Sequence, residues 1–582
     1  MADPPAPGPG ARPDRGRPSA VRRAIRRAAA ILPAARRDAA RRAVRATGDF
    51  VAGRPPASWR VAKGEPLLDP AWAAAAQEAL AGGRPDDALA IADRVLAAHP
   101  RLVAALEVRQ VALFRLGEPT ASLAALRAVR AIADRPERAR LEERILAMLR
   151  ESDPGWLPRI PGPPEPLVAA DPGRVLHLLK ESVPDRQSGY TMRSQYIARA
   201  QRAAGLDPVV VTALGFPRST TGRPAPPTET VDGIRFHRLD LGPAYPADAA
   251  PDRYLEDYAW LAAGVVRTER PAVIHASSGI RGYDAALVGL ALRERHGVPL
   301  VYDVRSFFET SWSRREDAAA AELASRREAA DGRVMAAADA VVTIAEAMHD
   351  DIVARGIAAE KVFVVPNGVD AAWFAPRPPD PALRARLGLR GFVFGYVSNL
   401  DHPRENQELL VDAAVRLRAR GRLATCLIVG DGTRRAELEE HARRAGARGA
   451  VVFAGAVPHA DVLDYYAILD AFVVPRRDER ASRFVTPLKP FEAMAMARPL
   501  VVSDLPALRE IAAPDERGLA FPPGDVDGLV AALERLVAAP DLGRAIGEAG
   551  RAWVVRERAW AADVPRLDAA YAFARERRGV AG

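Results

Sequence analysis

Cysteine occurs once, at Cys426, so no disulfide can form within the chain. It stands in the apolar run Ala424–Val429, where a packed thiol is the expected role. Cysteine and histidine nowhere cluster with metal-ligand spacing. No stretch of about 18 uncharged apolar residues exists, so nothing is expected to span a bilayer. The N-terminus lacks the continuous apolar segment of a secretory signal, which argues against export. Aromatic residues are absent from positions 1–47, although that stretch is strongly basic. Without rings on which bases stack, nucleic acid is not an expected partner. Asp-x-Asp occurs once, at Asp525-Val526-Asp527, and reads as the cap and first turn of a late helix rather than a metal clamp.

What is present is unevenly placed. Residues 1–50 carry 12 arginines against four aspartates, so they hold +8 of the net +9 of the whole 582-residue chain. Pro, Gly, Ala and Arg dominate the first 20 residues, and residues 1–60 read as a disordered basic tail with helical stretches. Paired arginines over 20–47 make a basic helix that suits either an anionic membrane surface or plain solvent. Residues 66–152 are helical and repeat at a period of 34, with Gly83 recurring as Gly117, Pro85 as Pro119 and Leu89 as Leu123. This resembles tetratricopeptide repeats. Two short units must bury their apolar faces against a protein partner or against the rest of the chain. Residues 153–172 are rich in Pro and Gly and read as a linker.

From Arg174 the pattern changes to strands alternating with helices. Strand-like runs are Arg174–Leu179, Pro208–Val211, Ala272–His275, Leu300–Val304, Ala340–Ile344 and Val362–Val365. Such alternation argues for a parallel sheet covered on both faces. A second α/β unit begins near Phe392, with runs at Phe392–Val397, Ala424–Val429, Val451–Val457 and Ala471–Val474. Ligands of open α/β sheets sit at the C-terminal strand ends. Ser188-Gly189-Tyr190, after the first strand, and Arg305, after Leu300–Val304, fall at such ends.

The chain is organised around Arg483–Asp504. Thr486-Pro487-Leu488-Lys489 is a loop, Pro490–Ala497 a helix and Leu500–Val502 a strand. Glu492 lies in the first helical turn with Lys489 just before it, a cation and a hydrogen-bond acceptor where an anion meets free backbone N–H groups. This stretch resembles the donor-site motif of family 4 glycosyltransferases, retaining enzymes of GT-B fold, and the resemblance runs from about Arg174 to the C-terminus. It implies an α/β protein of GT-B architecture with two facing Rossmann-like domains, preceded by an α-helical repeat region and the disordered basic N-terminus. The expected divisions are an acceptor-side domain at 173–375, a donor-nucleotide domain at 376–560 and a C-terminal helix at 561–582 that crosses back.

The implied activity is transfer of a hexose or deoxyhexose from a nucleoside diphosphate sugar to a glycan, lipid-linked or other cell-surface acceptor. Configuration is retained, and no metal or other cofactor takes part. By the resemblance Glu492 meets the ribose and Lys489, with Arg404, the phosphates. Arg305 meets a phosphate or acceptor anion, or else forms a structural salt bridge. Ser188, Gly189, Asn399, Val457, Thr486, Pro487 and Leu488 complete the nucleotide-sugar site. The chain departs from the family pattern at three places. Phe484 stands where a first Glu is usual, and Asn399 and Glu405 stand where Arg and Lys meet the diphosphate. These departures favour an alternative, a non-catalytic scaffold acting through its helical repeats in polysaccharide assembly. A third reading keeps the fold but makes the chain an epimerase or phosphorylase. Residues 66–152 are the expected protein-binding part. The expected location is cytoplasmic, with the tail a candidate for peripheral contact with the inner membrane face.

Overall fold

The computed structural model describes residues 71–310, 312–313 and 317–579. The basic tail at 1–60, with the helix expected over 20–47, therefore lies outside the described residues.

Among the described residues, five helices precede the first strand: Ala71–Ala81, Pro85–Ala98, Val103–Leu116, Pro119–Ile132 and Pro136–Glu151. Three of them open on proline, at the position where a missing N–H costs no hydrogen bond. Gly83 and Gly117 make the turns with φ of 71° and 81°. Ala76, Ala79, Ala88, Ala92 and Ala112 form the first core, because small side chains let the helices approach closely. The array leans on the α/β body. Thr120 Oγ1 donates to Glu322 (2.6 Å), Leu323 N donates to the Gly117 carbonyl (2.9 Å), and Tyr283 OH donates to buried Glu151 (3.3 Å). Of the two ways to bury the repeats, packing against the rest of the chain is the one seen.

Gly117 is a close approach within that contact. A Cβ there would lie 2.3 Å from Trp312 Cη2. Gly117→Ala combines this clash with a left-handed φ. It is expected to cost about 1–3 kcal/mol and to make the chain between the repeats and the α/β body more sensitive to protease. Unchanged melting and cleavage would count against this contact.

The stretch expected to be a linker is instead a strap. Trp156, Leu157, Ile160 and Leu167 pack on the first α/β core. Glu165, Leu167 and Ala170 donate backbone bonds to Arg295, His296 and Arg270 at 2.7, 3.0 and 2.9 Å. Apolar residues between the prolines, not a lack of them, decide this.

The first sheet has eight strands: β1 (Arg174–Leu179), β2 (Asp207–Thr212), β3 (Thr228–Val231), β4 (Ile234–Arg238), β5 (Val273–Ser277), β6 (Leu300–Val304), β7 (Ala340–Thr343) and β8 (Val362–Val364). Their order is β3-β4-β2-β1-β5-β6-β7-β8. All pairs are parallel except β3 with β4. That edge hairpin is not among the strand-like runs of the sequence. Its signal is Asp232-Gly233, a two-residue turn with φ of 51° and 74° at both positions.

The second sheet is wholly parallel: β9 (Phe392–Val397), β10 (Ala424–Val429), β11 (Val451–Gly455), β12 (Ala471–Val474), β13 (Leu500–Ser503) and β14 (Leu519–Phe521), ordered β11-β10-β9-β12-β13-β14. Cys426 is fully buried on β10, and burial pushes its thiol pKa up, as suits an inert packed sulfur. The last helix, Val564–Arg577, returns to the first sheet. Leu567, Ala570, Tyr571 and Ala574 pack with Val175, Val273, Val301, Ala340 and Val342.

Candidate active site

The segment leaving β12 reaches the cleft as the helix Arg480–Phe484, the loop 485–488 and the helix Lys489–Ala495. Side chains more distant in sequence tie it down. Arg476, 5% exposed, donates from Nη1 to the Val485 carbonyl (2.8 Å) and from Nη2 to Glu405 Oε1 (2.9 Å). Tyr396 OH donates to the other Glu405 oxygen (2.5 Å). Burial disfavours the charged carboxylate, but Arg476 and then Arg404 outweigh it and hold the Glu405 pKa down at about 2. The carboxylate at a phosphate-contact position thus faces the protein interior, which removes the repulsion an anion would meet.

Thr486 is buried and clasped from the crossover segment. Asn367 Nδ2 donates to its carbonyl (2.7 Å) and to its Oγ1 (3.2 Å). Asn367 Oδ1 in turn accepts from Arg193 Nη1 (3.0 Å), and Arg193 also donates to the carbonyls of Pro366 and Val365, both at 2.8 Å. Across the cleft, a Cβ on Gly189 would stand 3.5 Å from Leu488 Cδ1, so this loop approaches the Thr486-Pro487-Leu488 loop closely. Ser188 caps the helix Gly189–Ala203, accepting from Thr191 N at 3.3 Å.

Glu492 is held on two sides. Tyr466, fully buried, donates its hydroxyl to Oε2 (2.6 Å), and Lys489 Nζ lies 3.1 and 3.3 Å from the two carboxylate oxygens. Tyr466 is a site residue the sequence did not reveal. It sits in a short apolar helix, Val462–Ala467, and looks like core. Beside it Trp373 stacks on His459 with ring centres 4.2 Å apart, on the loop that also carries half-buried Val457. Arg404 is half-buried with Nε 3.6 Å from Glu405. Asn399 is exposed at the end of β9 and accepts from Asp401 N (2.6 Å).

Arg305 departs from the expected direct contact with an anion. It is 6% exposed and bound by protein: Nε donates to Asp303 (2.6 Å), and Nη1 donates to Ser194 Oγ (2.6 Å) and the Tyr190 carbonyl (3.3 Å). Asp303 is fully buried. Burial opposes its charge, yet Arg305 and the His275 hydrogen bond hold it well below the usual carboxylate range. The charge of Arg305 is therefore matched inside the fold, so it is a structural ion pair. Phe484 also finds partners. It meets Phe307 edge-on (5.8 Å), beneath Arg480, which pairs with Asp351 (2.8 Å). Apolar and charged contacts there join the two α/β units where the family motif has a carboxylate.

Among the described residues no group of three or more His, Cys, Asp or Glu is placed to hold a metal ion, and no helix is long and apolar enough to cross a membrane.

Two parallel α/β units joined by a crossover segment, with loops at their strand ends clasping one another, define a GT-B protein. The fold is shared with sucrose-phosphate synthase from Thermosynechococcus elongatus, with a TM-score of 0.56 at 22% identity over 68% of this chain and 97% of that one. Residues 391–539 match the model of the glycosyl transferases group 1, and residues 188–368 that of the glycosyl transferase 4-like domain. Similar sequences include a glycogen synthase of Mycobacterium tuberculosis, 26% identical over 66% of this chain and 91% of the relative. Another is a D-inositol 3-phosphate glycosyltransferase of Kineococcus radiotolerans, 29% identical over 52% of this chain and 71% of the relative. The chain belongs to the family 4 glycosyltransferases, and it is a glycosyltransferase.

Proposed function

We propose that this enzyme is a retaining transferase that moves a hexose or deoxyhexose from a nucleoside diphosphate sugar to a hydroxyl of a glycan or lipid-linked acceptor, without a metal ion. One observation carries the reading: the Tyr466–Glu492–Lys489 set opens onto the clasped 486–488 loop. In this reading residues 376–560 hold the nucleotide and 173–375 the acceptor. Glu492, its second oxygen fixed by Tyr466, accepts from the ribose hydroxyls. Lys489 and Arg404 supply positive charge to the leaving diphosphate, the place a metal fills in other designs. The backbone of residues 486–488, with Ser188 and Gly189 opposite, brackets the donor sugar, and Val457 and Asn399 border the nucleotide. No side chain is assigned as a nucleophile. The leaving phosphate assists attack on the face it departs from. The names of the two relatives, a glycogen synthase and an inositol phosphate glycosyltransferase, support hydroxyl acceptors.

Thermal melting against uridine, guanosine, adenosine and thymidine diphosphates tests this. One base at about 100 times its dissociation constant is expected to stabilise the protein by about 2.7 kcal/mol. No shift with any of them would leave the scaffold reading, which the occupation of Phe484 by interdomain contacts favours. In that case the tetratricopeptide-like array at 66–152 is the partner-binding part. Binding through 20–47 to an anionic membrane is tested separately, by vesicle sedimentation with and without residues 1–60.

Asn367→Ala is expected to raise the donor KM about tenfold while kcat falls less. It frees the Thr486 carbonyl at a cost of about 1–3 kcal/mol. Unchanged donor KM would show that the loop keeps its shape unaided.

A further inference from the structure

The two walls of the proposed sugar pocket belong to different α/β units. Ser188 and Gly189 open a helix of the first, and residues 486–488 are a loop of the second. Both walls are tied to one rigid piece, the helix Gly189–Ala203. Gly189 is its first residue and faces Leu488. Arg193 follows four positions later, one turn and about 6 Å along the same face. From there it holds Asn367, which holds Thr486. Leu488, at the other end of the loop, packs on the apolar cluster that contains Ile197 of the same helix. Pro487 is left between two anchored neighbours.

Arginine is the residue type this linkage needs. Arg193 is 2% exposed and donates to oxygens on three successive residues: the Val365 and Pro366 carbonyls, both at 2.8 Å, and Asn367 Oδ1 at 3.0 Å. A planar fork spans them, where the point charge of a lysine would not. A guanidinium has no acceptor, so only the oxygen of the Asn367 amide can face it. The amide NH2 is thereby turned to Thr486, whose carbonyl and hydroxyl accept from it at 2.7 and 3.2 Å. Burial lowers the Arg193 pKa to about 10, which leaves it charged at neutral pH. The helix itself is pinned. Arg305 donates to the Tyr190 carbonyl and the Ser194 hydroxyl in its first two turns, and Ser188 caps it through Thr191 N.

We infer that Arg193 is a positioning residue for the donor sugar: by orienting Asn367 it fixes the gap between Gly189 and the 486–488 loop, into which the sugar, but not the nucleoside diphosphate, has to fit. This rests on the transferase reading above and extends it to a residue that touches no substrate. No motif in the sequence singles out Arg193, because its partners lie 172 to 174 positions away.

The test separates sugar from nucleotide. Calorimetric titration of the full chain measures dissociation constants for the uridine, adenosine, thymidine and guanosine diphosphates. It then does so for UDP-glucose, ADP-glucose, dTDP-glucose and GDP-mannose. The wild type is compared with Arg193→Met, Arg193→Lys, Asn367→Ala and the double variant R193M/N367A. For the base that binds, R193M should keep the diphosphate within about threefold and weaken the nucleotide sugar about tenfold or more. R193K should recover part of that loss, because its ammonium reaches some of the three oxygens. The double variant should bind the sugar conjugate no more weakly than N367A alone, since Arg193 acts through Asn367. Diphosphate binding reports that each variant is folded. Should R193M fail this, R193K and R193K/N367A carry the same comparison. Equal weakening of diphosphate and sugar conjugate, or additive losses in the double variant, overturns the inference and leaves Arg193 a plain tie between the two units. A wild type that binds a diphosphate but none of the four conjugates overturns it as well, because the gap then admits no sugar. Absence of any diphosphate binding by the wild type removes the transferase reading, and this inference with it.

Discussion

Glu492→Ala is expected to lower kcat/KM for the nucleotide sugar by two to three orders of magnitude. The carboxylate accepts from buried Tyr466 and pairs with Lys489. In the proposed reading its removal deletes the charged acceptor for the ribose, an interaction of about 1.5–3 kcal/mol, and it leaves the Tyr466 hydroxyl unpaired. Lys489 also loses the partner that points it along the loop. Because each 1.4 kcal/mol is tenfold, two such losses account for the drop. Glu492→Gln separates them. It keeps an acceptor for Tyr466 and so the fold, but loses the charge, and it should sit between wild type and alanine in kcat/KM while melting near the wild type. Turnover within about threefold of wild type in the alanine variant would take Glu492 out of the site.

Arg476→Ala should be the most destabilising single change in the second domain, by about 3–5 kcal/mol, because it strands Glu405 as a buried charge. The pH dependence fixes the cause. In the wild type Glu405 has its pKa lowered from an ordinary 4.5 to about 2. Its pairing therefore contributes stability in full above about pH 4.5, and this is lost as the pH falls from there towards 2. In the variant the sign reverses. Burial with only the half-buried Arg404, 3.6 Å away, as its remaining cation raises the carboxyl pKa, so the protein binds a proton on folding and the deficit shrinks as the solution is acidified. Melting of the two chains at pH 5 and pH 7.5 measures this, and an equal difference at both would contradict it. Glu405→Gln combined with Arg476→Met should recover much of the loss, since removing both partners is far cheaper than removing one. Activity should not recover with stability, because the bond from Arg476 to the Val485 carbonyl is gone in both variants.

How much of this was legible beforehand follows from how far apart the interacting groups lie. Lys489 and Glu492 are three residues apart in one helical turn, and their pairing is written in that spacing. Proline and glycine at Pro85, Pro119, Gly83 and Gly117 likewise mark helix starts and turns wherever they occur, because each restricts or frees its own backbone. The β3–β4 hairpin is marked in the same way by Asp232-Gly233, although its flanking strands are short and polar. Glu405 with Arg476 is different. They are 71 positions apart, and neither residue announces which way it will face. Arg305 stood at a strand end where an anion-binding arginine is expected, and only the burial of Asp303 beside it shows that its charge is already matched.

By itself, then, the sequence determined the kinds of element, their order and the segment on which the chemistry turns, because runs of apolar residues and helix-stop signals act over a few residues. Tertiary structure decided which charged and polar groups are free to meet a substrate. Asn367 reaches Thr486 across 119 residues, and Tyr571 in the last helix reaches Gln201 across 370. Those contacts exist because two sheets and a returning helix close on one another. Burial then made charged groups such as Glu405 and Asp303 take their partners from within the fold.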